Sequence, residues 1–107
     1  MPTTTGYSRS ASGQYTGDAG LTTVASAATT VLPDEPLVKI SGTTTITLLT
    51  GHAAGKRITL VFLAGVTLTN AATLKLAGAV NFVATADDAI TLVSDGTTWW
   101  ETGRSVN

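Results

Sequence analysis

A chain of 107 residues with 12% charged and 43% hydrophobic side chains and no cysteine accommodates one domain, and it has no disulfide or thiolate–zinc staple to make up for a small core. Six basic against seven acidic residues give a formal net charge of −1 with no basic stripe, which excludes the electrostatic footprint of a nucleic-acid binder, and no basic amphipathic helix points to a membrane surface. The charged share is about half the usual one, and Thr, Ser, Gly and Ala fill the gap, a composition expected of a chain that hides surface against copies of itself or a partner.

The first ten residues, MPTTTGYSRS, lack the basic start and apolar run of a secretory signal, so synthesis in the cytoplasm is expected. Residues 1–36 read as an extended N-terminal arm and linker. Large aliphatic residues are nearly absent before Leu21 and Val24, so the segment buries too little apolar surface to order itself. It is expected to lie on a neighbouring subunit, with Tyr7 and Tyr15 as anchors that combine apolar area with a polar handle. Ala25 to Ala28 is a weak helix candidate among Thr and Ser, and Pro33 and Pro36 bracket Asp34-Glu35 as a rigid exposed turn.

From Leu37 to Asn107 the texture becomes that of a β-structured body. Short runs alternate apolar residues with Thr or Lys: Leu37 to Ile40, Thr45 to Leu48, Ile58 to Phe62, Val66 to Leu68, Leu74 to Leu76, Asn81 to Val83 and Ala89 to Val93. This period of two puts one set of side chains inside and the other outside. Gly42, Gly51, Gly55, Gly65, Asn70, Gly78 and Asp87-Asp88 separate the runs. Asp95-Gly96 reads as a tight hairpin turn into a last strand starting at Thr97. The longest apolar stretch, Ile58 to Leu68, is interrupted by Thr59, Gly65 and Thr67 and is too short for a membrane helix. Closely spaced short strands suit either a sandwich or barrel, or a β-helix in which each strand stacks on the next rung.

No catalytic, cofactor or metal residues are expected. Asp87, Asp88 and Asp95 read as turn residues accepting local backbone hydrogen bonds rather than as a glycosidase pair. His52 is the sole histidine, placed in a loop expected to be exposed and bracketed by Gly51 and Gly55. Lys56, Arg57 and Arg104 read as solvated loop charges. Trp99 and Trp100 are adjacent, so on a strand one enters the core and the other serves as an interface anchor or, less readily, a sugar platform. Trp99, Trp100, Phe62 and Phe82, with Tyr7 and Tyr15, are the expected contacts to trimer mates or a partner.

The stretch from Ile40 to Ser105 resembles a C-terminal module of phage tail fibres and related virion proteins. The resemblance lies in the order of Ile46-Thr47-Leu48-Leu49, Gly55 to Phe62, Val66 to Asn70, Leu74-Lys75-Leu76, Asn81 to Asp88, Ile90 to Val93 and Asp95 to Glu101. It implies a homotrimer with a β-helical or β-prism body whose three chains share an apolar interior. The module stands here behind an arm of some thirty residues instead of ending a long fibre. The expectation is therefore a non-enzymatic virion protein, a trimeric capsid decoration or cement protein that binds the major capsid protein. Lys56, Arg57 and Arg104 would then, as an alternative to solvated charges, face acidic patches on the capsid shell. The alternative is a fibre-tip or spike module that binds a host-surface glycan.

Overall fold

A computed structural model describes residues 22–107. Tyr7 and Tyr15, and the part of the expected arm before Thr22, lie outside the described residues. The described chain is all-β, with ten strands: β1 (Thr22–Ala25), β2 (Thr29–Val31), β3 (Leu37–Ser41), β4 (Leu48–Thr50), β5 (Arg57–Phe62), β6 (Val66–Leu68), β7 (Leu74–Lys75), β8 (Phe82–Ala84), β9 (Ala89–Ser94) and β10 (Trp99–Ser105). One 3-10 turn, Ala77–Ala79, interrupts them.

Six strands form one sheet in the order β1-β3-β5-β9-β10-β7. β1, β3 and β5 run parallel, β9 is antiparallel to both β5 and β10, and β7 joins β10 in parallel. A second layer consists of the parallel pair β2-β4 and the antiparallel pair β6-β8, linked by a single parallel bridge between Ile46 and Leu68. The alternation read from the sequence is visible in burial. Val38 and Ile40, Ile58, Leu60 and Phe62, and Ile90 and Leu92 point inward from the large sheet and meet Ile46, Leu49, Val66, Leu68 and Phe82 from the second layer. Of the run expected over Thr45 to Leu48, Ile46 forms an isolated bridge and Leu48 opens the strand, which is Leu48–Thr50.

The arm boundary at residue 36 is corrected by β1 and β2. β1 pairs with β3 from Thr22↔Val38 to Ala25↔Ser41, and β2 pairs with β4 from Thr29↔Leu48 to Val31↔Thr50. The body therefore begins by Thr22. A Thr- and Ala-rich strand has little apolar area of its own, but its β-branched residues suit a pleated surface and its backbone groups are satisfied by a neighbour already in place. Thr30 and Leu32 are buried with the core. Buried Thr30 accepts from the Ala27 N–H at 3.1 Å and donates to the Ala27 carbonyl at 2.8 Å.

Two links hold the loops together at one end. Lys56 Nζ donates to the Pro33 carbonyl at 2.7 Å and lies 3.8 Å from the Asp34 carboxylate, so its charge is used locally and not solvated as expected. Gly51 adopts φ +93°, and a Cβ there would lie 2.3 Å from the Leu32 carbonyl oxygen. Only glycine lets the two backbones approach so closely in that conformation.

Seventeen hydrophobic residues of the described chain are buried within a single copy. The expectation that an apolar interior needs three chains is therefore not required to close this core.

Candidate functional site

The hairpin between β9 and β10 organises the site. The Asp95 N–H donates to the Thr98 carbonyl at 3.1 Å, and Gly96 takes φ +105° in the turn. The Asp95 carboxylate accepts from the Thr97 N–H at 3.0 Å, the Thr98 N–H at 2.8 Å and the Trp100 indole N–H at 3.3 Å. These donors, the Thr97 backbone foremost, hold its pKa down at about 2. Asp88 works the same way at the next turn, accepting from the Thr85 N–H at 2.9 Å and the Asn107 N–H at 2.8 Å, with its pKa lowered by those bonds. Asp88 and Asp95 thus cap turns, as read from the sequence. Asp87 stands in the left-handed region at φ +74°.

Beyond the turn the two tryptophans part. Trp99 pairs with Ser94 and Leu74, is fully buried, and packs its ring 4.9 Å from that of His52. His52 is not the exposed loop residue expected. Its Nε2 donates to the Leu49 carbonyl at 3.0 Å, and its Nδ1 lies 3.0 Å from Ser94 Oγ, which also accepts the Gly96 N–H at 3.0 Å. Leu49 offers only an acceptor, so Nε2 carries the proton. The chain Leu49–His52–Ser94–Gly96 fastens the 51–56 loop to the hairpin. Ser94 is buried, and its hydroxyl is taken up by His52 and the Gly96 N–H. No sequence pattern announces this contact, because 42 residues separate its partners.

Phe62 and Phe82, expected at an interface, are core residues of one chain, packed edge to face at 6.0 Å. Trp99 likewise faces its own core. The physical reason is the alternation itself, since all three occupy inward positions. At the far end of β10 a register shift between Glu101 and Gly103 brings Glu101 and Arg104 to the same side, opposite Leu92 and Ile90. Residues three apart on a regular strand would face opposite ways. Arg104 donates to both Glu101 oxygens at 2.6 Å and lies 4.1 Å above the Phe82 ring. That pairing lowers the Glu101 pKa and raises that of Arg104. Arg104 is thus an ion-paired charge at the edge of the core and not a free one, though it keeps contact with solvent.

Among the described residues Trp100 is the one predicted contact that remains accessible, 45% exposed on the outward face of the large sheet. In register with it across the strands lie Val93, Arg57 and Lys75. Lys39 shares the face, opposite Val61. Among the described residues these three cations are in no ion pair, whereas Lys56 and Arg104 are both engaged. No described carboxylate occupies an outward strand position of this sheet, because the acids sit in turns or, at Glu101, on the inner side. Lys39 and Lys75 were absent from the sequence expectation, as only the strand register aligns them with Trp100.

The outward face of the second layer is of another kind. Its strands, TTV, LLT, VTL and FVA, contain no charged residue, and Val31, Leu48 and Val83 stand exposed among threonines.

Among the described residues no three His, Cys, Asp or Glu side chains group to hold a metal, and no helix is long and apolar enough to cross a membrane. No family model matches the chain. No curated protein matches it either.

Proposed function

We propose that the chain is a non-enzymatic structural protein of a phage particle, a homotrimeric decoration subunit that clamps neighbouring capsid subunits. The observation that carries the assembly is the uncharged second-layer face with Val31 and Val83 about two-thirds exposed at 65% and 68%. Exposed aliphatic residues on a strand layer without a single charge are what an obligate partner surface requires. A second copy is the partner most economical with sequence, and three copies around one axis would bury this layer.

The finer architecture belongs to the same reading. β1, β3 and β5 stack in parallel, as do β2 and β4, and the Ile46–Leu68 bridge continues the second stack. Successive β1–β2, β3–β4 and β5–β6 units then act as three rungs of a short β-helical body, closed by the antiparallel strands β8 and β9. The resemblance to tail-fibre modules supports the virion context, and residues 1–21 would supply the arm.

Sedimentation equilibrium tests the assembly. The full chain is expected to sediment as a trimer and Val31→Lys with Val83→Lys as a folded monomer. A compact monomer from the unaltered chain rejects the reading. Deleting residues 1–21 is expected to preserve the trimer while abolishing attachment to particles.

A further inference from the structure

The geometry points to the outward face of the six-stranded sheet, centred on Trp100 and framed by Lys39, Arg57 and Lys75, as a docking surface for a carboxylate-rich protein. The inference rests on the assembly reading for the nature of the partner, since a decoration subunit must grip a shell protein.

Charge is the first argument. The described chain places three cations without ion pairs on one face and no carboxylate at an outward strand position there. A random placement of so few charges in a chain of net charge −1 would mix the signs. Asp95, hydrogen-bonded to the Trp100 indole from the turn, sets one negative charge at the edge of this face against the three cations, and its oxygens accept from Thr97, Thr98 and the indole. A surface with an excess of one sign selects partners of opposite sign and steers their encounter.

Trp100 supplies the anchor. Trp100 is the one large hydrophobic residue exposed among the strands of this sheet, and the Asp95 bond fixes its ring. Tryptophan and arginine dominate interface hot spots, and a ring held in place loses little freedom on binding.

Spacing favours a protein over a sugar chain. Arg57 and Lys75 stand three strand spacings apart, about 14 Å. Lys39 lies off that line, one strand and four residues from Arg57, also about 14 Å away. A stiff saccharide stacked on Trp100 along the Arg57–Lys75 row would leave Lys39 unused, whereas a flexible or folded acidic polypeptide can engage all three corners.

Calorimetric titration of the full chain with poly-L-glutamate tests this, with polygalacturonate as the rival probe. Poly-L-glutamate is expected to bind, and to weaken as NaCl rises because exposed pairs are screened. Trp100→Ala, and separately Arg57→Glu with Lys75→Glu, are each expected to weaken it at least about tenfold. Unchanged sedimentation and thermal melting of both variants show that the face and not the fold was altered. Absence of binding, binding indifferent to these variants, or tighter binding of polygalacturonate would each overturn the inference. Loss of the trimer would appear in sedimentation and not in the titration, so failure of the assembly reading is separately visible.

Discussion

The second layer and the six-stranded sheet draw on the same Thr, Val and Leu vocabulary, yet their outward faces diverge. The four short strands of the second layer carry no charge and expose Val31, Leu48 and Val83. The large sheet covers its outward aliphatic residues by half and lifts Lys39, Arg57, Lys75 and Trp100 above them. Both faces are outward in one copy, so burial of the core does not explain the contrast. The difference teaches that a chain with few charges uses their placement to tell its surfaces apart. A face without charges can be dehydrated at small cost, while a face with cations keeps water until an acidic partner replaces it.

The largest effect separates inside from outside at adjacent positions. Trp99→Ala is expected to cost about 3–5 kcal/mol in denaturant unfolding, because it opens a cavity against His52. Trp100→Ala is expected to cost within about 1 kcal/mol, since the site is half exposed. Similar losses at both would erase the distinction between core and docking face.

Next comes the close approach at the ends of β2 and β4. Gly51→Ala is expected to destabilise by about 1–3 kcal/mol or more, through φ +93° and the close Leu32 carbonyl. A neutral result would mean that the segments following β2 and β4 do not need so close an approach.

The hairpin that presents Trp100 titrates. Asp95 has a folded pKa of about 2 against an ordinary 3.8, and Asp88 is also lowered from 3.8. A depressed carboxylate binds fewer protons folded than unfolded, so its contribution is complete above the unfolded value and disappears as pH falls through the folded one. Thermal melts are expected to be flat above about pH 5 and to drop as pH is lowered from 4 towards 2. Asp95→Asn is expected to reduce that slope and to release the indole, which a red shift in Trp fluorescence would report. An unchanged slope would remove Asp95 as the support of Trp100.

The smallest expected effect on stability is at the uncharged face. Val31→Lys and Val83→Lys are each expected to alter monomer stability by about 0.5 kcal/mol or less, because exposed sites seldom do more. Their effect on association is expected to be total. A large loss of monomer stability would show that these residues belong to the core's support and not to a contact surface.

Strand alternation made β3, β5, β6 and β9 legible, since inward Val38, Leu60, Val66 and Leu92 recur at every second position. The Asp95-Gly96 turn was equally legible, because a short acidic side chain and a glycine at positive φ are what such a turn demands. β1 and β2 were not, as Thr and Ala carry too weak a signal until β3 and β4 lie beside them. The adjacent tryptophans declared that one would be buried without declaring which. That choice followed from pairing Trp99 with Ser94 and Leu74, a register set across the whole sheet.

Local periodicity and turn chemistry determine an all-β chain and its inward residues, because they act over two to four neighbouring positions. Strand order, the parallel stacks, the His52–Ser94 lock and the gathering of Lys39, Arg57 and Lys75 around Trp100 were decided by tertiary structure alone. Each depends on which distant segments come to share an edge, and that selection is made by the packing of the whole core.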